Sequence, residues 1–194
     1  MTAELNLWYL DDGSLGGAVA DLLRDLETVR NIGPSLGLFL NESKCEIVTD
    51  DADVAAQIQA VMPSIRHVSC AEAELLGAPI GNDSSINKIL SNKLTVFQRL
   101  ANRLLLSSAH DALFLLKNCF SMPKLLYTLR SAPCYNSSIL TEYDLIIHNT
   151  LQSIMNVNRT VDAWSQATLP VSSGGLGIRL ANDLALPSFL SSTA

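Results

Sequence analysis

An α+β fold follows from three features of the amino-acid sequence. Short apolar and aromatic runs separated by turn residues fill the chain up to Gly81, helical periodicity dominates after it, and the change of character falls at Asn82-Asp83-Ser84. Two domains are expected, 1–83 with short strands and packed helices and 84–194 all helical.

The elements follow in order. Leu5-Asn-Leu-Trp-Tyr-Leu10 is a strand-like run that stops at Asp11-Asp12-Gly13, and Leu15 resumes the pattern beyond it, which is a hairpin signal. From Ala18 to Ile32, Val19, Leu22, Leu23, Leu26, Val29 and Ile32 recur at three- and four-residue spacing, with Asp21, Arg24, Asp25, Glu27 and Arg30 mostly on the other side. That is an amphipathic helix, closed by Gly33-Pro34. Leu36 to Asn41 reads as a loop or short strand, and Cys45 to Thr49 as a second strand. The acidic cluster Asp50-Asp51-Ala52-Asp53 opens a helix that Pro63 stops, because carboxylates there satisfy free amides and oppose the helix dipole. Ile65 to Cys70 is a candidate strand, and Leu75-Leu-Gly-Ala-Pro-Ile-Gly81 a tight hairpin. Helices are then expected over about 85–107, 109–120, 122–132 and 137–157. The last stretch holds a turn at Ser172-Ser-Gly-Gly-Leu-Gly177 and a weaker apolar segment from Ile178 to Leu190.

Composition limits the function classes. At 194 residues and 48% hydrophobic, the chain can bury a core without disulfides or a structural metal. No apolar run approaches the roughly 20 residues that cross a bilayer, so no membrane partner is expected. Met1 to Leu10 lacks a basic segment followed by an apolar stretch, and an intracellular, non-secreted protein is expected. Cys45, Cys70, Cys119 and Cys134 form no C-x-x-C pair and read as buried free thiols. His67, His110 and His148 stand singly and read as structural. Asn82, Asn136 and Asn158 match the glycan acceptor pattern, which carries nothing without a secretion signal. The net charge of −6 opposes non-specific nucleic-acid binding, so any such role needs a local basic patch.

Chemistry concentrates at the first hairpin. Adjacent aspartates at a hairpin tip, carried by a buried strand, can place carboxylate oxygens where Mg²⁺ is held against substrate phosphates. Asp-Gly is also an ordinary turn sequence, so Asp11-Asp12-Gly13 alone is weak evidence. Two further segments follow it in order. Asn6-Leu-Trp-Tyr-Leu-Asp-Asp-Gly13 resembles the Y-x-D-D motif of reverse transcriptases, Gly37-Leu-Phe-Leu-Asn41-Glu-Ser-Lys44 is similar to that family's G-x-x-x-N-x-x-K element, and Leu75-Leu-Gly-Ala-Pro-Ile-Gly81 to its primer-grip hairpin. Trp8 and the Leu176-Gly-Ile ending add a likeness to the enzymes of eukaryotic non-LTR retrotransposons.

The resemblance implies a partial polymerase palm with short antiparallel strands over 1–83 and a helical thumb and connector over 84–194. It implies that Asp11 binds Mg²⁺ (or Mn²⁺) directly with Asp12 supporting it, that Tyr9 lies beside the primer terminus, and that Lys44 approaches the departing pyrophosphate. Leu76, Gly77 and Ala78 would steer the primer. RNA template, DNA primer and deoxynucleotides are the implied partners. In this family a further carboxylate and the nucleotide-binding fingers lie well upstream of the aspartates, whereas eight residues precede Tyr9 here, so an incomplete site and no activity from this chain alone are expected. On the helix that follows, Lys88, Asn92, Thr95, Arg99 and Arg103 share one face opposite Leu90, Leu94, Phe97, Ala101 and Leu104, which makes Lys88, Arg99 and Arg103 candidates for nucleic-acid backbone contact. The competing reading is a non-enzymatic helical interaction module in which Asp-Asp-Gly is only a turn. A cyclase-type palm also uses carboxylates at a hairpin, but the Lys44 and Leu76-Gly77 elements argue against it.

Overall fold

A computed structural model of the chain describes residues 1–157 and 160–193, so the acceptor match at Asn158 lies outside the described residues. The fold is mixed α+β, mostly helical with a few short strands. It divides into two compact units, Met1–Cys70 and Ala71–Ala194. The hairpin expected over 75–81 therefore belongs with the helices that follow it.

In the first unit, β1 (Leu5–Tyr9) and β2 (Asp12–Gly16) form an antiparallel pair. Helix α1 (Val19–Ile32) follows and gives way at Gly33-Pro34 to a single 3₁₀ turn, Gly33–Leu36, closed by Gly37 at φ 76°. Only glycine takes that left-handed conformation without strain. Residues 37–41 are irregular, and a second 3₁₀ turn spans Glu42–Lys44. Next come β3 (Glu46–Val48), α2 (Ala52–Val61) and β4 (Arg66–Val68). Asp51 caps α2 as its acidic run predicts, accepting from the amides of Asp53 and Val54.

The strand pairs depart from the expected antiparallel palm in two ways. β3 and β4 pair in parallel, because α2 returns the chain to the same end of the strand before β4 begins. β1–β2 and β3–β4 also remain separate two-stranded sheets. The strongly buried apolar side chains of this unit are few: Ile47, Ala55, Ile58, Met62 and Val68, all from the β3–α2–β4 segment and its exit. The apolar stripe of α1 is only half-buried, and Ile32 at its end is exposed.

The second unit opens with the antiparallel pair β5 (Glu74–Leu75) and β6 (Ala78–Pro79). Asn82 then accepts from the amides of Ser84 and Ser85 and starts α3 (Asp83–Leu104). Helix α4 (Ala109–Leu115) does not continue to 120 as a regular helix; it widens into a π turn at Leu116–Phe120. Helices α5 (Met122–Ser131), α6 (Ile139–Met155), α7 (Val161–Thr168) and α8 (Ala181–Thr193) complete the unit. The weak apolar segment near the end is thus α8, while α7 has too short a pattern to stand out in the sequence.

The helices of this unit enclose one apolar core. Leu90, Phe97, Leu116, Leu125, Leu129, Leu140, Tyr143, Ile147 and Leu151 are all nearly or wholly buried in it. Phe97 of α3 stacks on Tyr143 of α6 with ring centroids 4.4 Å apart, and the Tyr143 hydroxyl donates to the Ser121 carbonyl at 3.0 Å. Burial pushes the Tyr143 phenol well up. The same cause raises the Cys134 thiol to about 11, the behaviour of an inert buried cysteine.

Candidate functional site

The tip of the β1–β2 hairpin is built one residue earlier than the Asp-Gly sequence suggests. Tyr9 pairs with Asp12 and Trp8 with Gly13, so the two turn residues are Leu10 and Asp11. Leu10 takes φ 57° and is 86% exposed. A leucine there carries a strain of about 1–2 kcal/mol relative to an ordinary conformation. Asp12 and Gly13 are not turn residues at all; they begin β2.

Gly13 has a packing role instead. A Cβ at that position would lie 2.6 Å from the Trp8 ring, so the missing side chain is what lets the indole cross the partner strand. The indole Nε1 donates to Asn6 Oδ1 at 2.7 Å, which fixes the ring further. Asp11 and Asp12 are both exposed, and so is Tyr9. β1, which leads into the tip, is exposed along its whole length, against the expectation of a buried strand before the aspartates. An isolated pair of strands with no third neighbour leaves its side chains to solvent on both faces.

One buried carboxylate anchors the base of the hairpin, and it is not among the predicted site residues. Asp25 of α1 is 1% exposed and accepts from the amides of Thr2 and Ala3 at 2.7 and 2.8 Å, and from the Thr2 hydroxyl at 3.2 Å. The Ala3 amide, the largest influence, holds its pKa below the ordinary aspartate value. The sequence analysis placed Asp25 on the polar side of α1. Its position three residues after Leu22 and four before Val29 is the signal that sets it on the apolar face.

Lys44 closes the 3₁₀ turn Glu42–Lys44 and is exposed. The turn is anchored by Arg30, whose guanidinium pairs with Glu42 and also donates to the Val61 carbonyl at 3.3 Å, joining α1, the lysine turn and the end of α2. No hydrogen bond or ion pair links Lys44 to Asp11 or Asp12 among the described residues.

In the second unit, Leu76 and Gly77 form the two-residue turn of β5–β6 at φ 51° and 75°. Both central residues take positive φ, as a type I′ hairpin turn requires. Tyr127 of α5 donates its hydroxyl to the Leu76 carbonyl at 2.6 Å, tying the Leu76-Gly77-Ala78 turn to the helical unit. On α3, Lys88, Asn92, Thr95, Arg99 and Arg103 all lie on the exposed face. Lys88 is ion-paired with Glu72, which reduces the cations available to an external phosphate to Arg99 and Arg103 within the predicted set.

Asp11 and Asp12 do not amount to a complete metal centre. Among the described residues no three acidic, histidine or cysteine side chains gather where one ion could be held. No helix is long and apolar enough to cross a membrane among the described residues.

No family model matches the chain, and neither a curated protein nor a solved structure matches it.

Proposed function

We propose that the chain is part of a reverse transcriptase of the non-LTR retrotransposon kind, carrying the Y-x-D-D hairpin, the lysine element and the primer-grip hairpin, and inactive as a polymerase by itself. The observation that supports this most is the sequence of the first hairpin tip. A hairpin chosen for turn stability would put Asp-Gly or Asn-Gly at its two central positions. This one has Asp12-Gly13 at hand, yet turns through Leu10-Asp11 at the cost of left-handed strain at a leucine. Local strain of that kind is retained where the tip serves something besides folding, and the result here is two exposed carboxylates beside an exposed tyrosine.

In this reading Asp11 and Asp12 contribute part of a carboxylate set that binds Mg²⁺ or Mn²⁺ during RNA-templated addition of deoxynucleotides to a primer. Tyr9 borders the primer terminus, Lys44 faces the leaving pyrophosphate, and Leu76, Gly77 and Ala78 steer the primer strand. Arg99 and Arg103 lead the phosphate contacts on α3. Since the chain supplies two carboxylates, no catalytic step is assigned to it alone.

Titration of the labelled chain with Mn²⁺, read by paramagnetic line broadening, tests the proposal. Broadening should begin at Tyr9 to Gly13 and vanish in the double variant Asp11→Asn, Asp12→Asn. Broadening that ignores this segment would sink the metal assignment, and template-dependent primer extension by the purified chain would sink the claim of inactivity.

The exposed apolar residues of the first unit favour a second reading, a partner-binding module. Leu5, Leu7, Trp8, Leu38 and Phe39 are each about half exposed or more. Apolar side chains left to solvent on a small unit suit contact with a partner.

A further inference from the structure

A cleft in the second unit lies between α3, the π turn and the start of α5. Its volume is about 210 Å³, and it is lined by Asn92, Lys93, Val96, Phe97, Leu100, Phe120 and Lys124. None of these positions except Asn92 figures in the site described above.

The lining has a definite chemistry. Val96, Phe97, Leu100 and Phe120 make an apolar floor, and no acidic residue contributes to it. Lys93 and Lys124 are its two cationic lining residues. Lys93 donates to the Lys124 carbonyl at 3.4 Å, and neither lysine has a carboxylate partner among the described residues, although the chain carries six more acidic than basic side chains.

Lys124 also lies in the first turn of α5, a ten-residue helix whose first turn holds no acidic residue. The positive end of that helix dipole adds to the lysine charge instead of offsetting it. The π turn makes the third contribution, because a helix widened by one residue per turn presents side chains that a regular helix would not, and such turns recur at functional sites. Here it ends on Phe120, a lining residue.

We infer that this cleft binds a small amphipathic monoanion, an alkyl or aryl body carrying one carboxylate. The apolar floor takes the body, and Lys93 and Lys124 take the charge. The volume falls below the roughly 300 Å³ at which sites for drug-sized ligands begin, so the body is short, on the order of six to ten carbons. A sugar fits poorly, since Asn92 is the one uncharged polar side chain in the lining, and a bare phosphate would leave the apolar floor uncovered.

Titration of the full chain with octanoate, followed by amide and methyl chemical shifts, tests this. Shifts should concentrate at Val96, Leu100, Phe120 and Lys124. The uncharged 1-octanol and inorganic phosphate should each bind more weakly than octanoate by about tenfold or more, the weight of a charge-assisted contact or of a buried chain. Lys93→Gln with Lys124→Gln should bring octanoate down to the level of octanol, and since both are surface lysines the unligated spectrum serves as the check on folding. Phe120→Ala should weaken octanoate and octanol together. Absence of saturable shifts in the cleft, equal binding of octanoate and octanol, or equal binding of octanoate and phosphate to the wild-type chain would each overturn the assignment without recourse to any variant.

Discussion

Leu10 and Asp25 show how single residues hold the first hairpin in opposite ways. Leu10 strains it: at φ 57° and 86% exposed, the side chain gains nothing from burial that could offset its conformation. Asparagine tolerates the left-handed region far better. Leu10→Asn should therefore stabilise the hairpin by about 0.5–1 kcal/mol, seen as slower amide exchange at Tyr9 and Asp12; faster exchange there would show that the leucine is held by packing. Asp25 secures the hairpin's base through Thr2 and Ala3. Its pKa is lowered on folding, chiefly by the Ala3 amide, so its contribution is complete above the unfolded aspartate value of roughly 3.9 and is lost as pH falls through the lower folded value. Asp25→Asn should lower thermal stability at pH 7, and the gap from wild type should close as pH falls below the unfolded aspartate value of roughly 3.9. A gap that stayed constant with pH would mean that the residue acts by shape and not by charge. Both residues mark where the sequence is hard to read. Leu10 reveals its conformation only once the Tyr9–Asp12 register is known, and Asp25 is a charged residue on an apolar face, which average polarity assigns to solvent.

Among the elements, those made by local contacts were legible in the sequence and those made by distant ones were not. Helices α1, α2 and α3 begin and end close to where their periodicity, acidic caps and prolines place them, since the same few residues determine both pattern and structure. The parallel pairing of β3 with β4 depends on where α2 returns the chain, which no three-residue strand can encode. Helix α8 is a further case. Its apolar pattern is weak and Pro187 lies inside it, yet it is tied to α6 by Asp144, which accepts from the Ala181 amide at 2.5 Å, the Asn182 amide at 3.1 Å and the Asn182 side chain at 2.8 Å. Asp144 thus caps α8 from another helix, 37 residues away in sequence. Removing the acceptor in Asp144→Ala should cost about 1–2 kcal/mol, read from urea unfolding. Asp144→Asn keeps an acceptor and should cost less. Burial is the largest influence on this carboxyl and raises its pKa despite the three donors, so its charge opposes folding at neutral pH. The folded value lies above the unfolded one, and stability present below the unfolded value is lost as pH rises through the folded value. The asparagine variant should therefore compare best with wild type at neutral pH and worst near pH 3; the reverse order would contradict the burial argument.

Across the molecule, burial is divided very unevenly between the two units. Of the large side chains that are almost wholly buried, Phe97, Leu90, Leu116, Leu125, Leu129, Leu140, Tyr143, Ile147 and Leu151 belong to the helical unit, while Met62 is the large apolar example from the first. Each buried aliphatic or aromatic side chain contributes about 1.5–3 kcal/mol relative to exposure, so the helical unit holds most of the apolar driving force. The first unit depends instead on polar anchors: Asp25 at Thr2 and Ala3, Arg30 at Glu42 and Val61, and Asp50 at the Cys70 amide. Such contacts give a net stabilisation of about 0.5–1.5 kcal/mol each, more where charged, and they order a surface without a deep core beneath it. That division bears on the proposed function, because it leaves the Tyr9 to Asp12 tip on the less stable unit and the Leu76-Gly77-Ala78 turn, tied by Tyr127, on the more stable one. Local opening free energies follow burial. Hydrogen exchange on the full chain should show the strongest protection in α3, α5 and α6 and the weakest in β1 and β2, with guanidinium unfolding the first unit at a lower concentration than the second. A partner that completes the metal site or covers the exposed face of β1 should raise protection at Leu5 to Gly16 and leave the α6 amides unchanged, since ligand binding stabilises what it contacts. Uniform protection across both units in the isolated chain would instead mean that the first unit has support beyond these polar anchors and needs no partner to hold its hairpin in place.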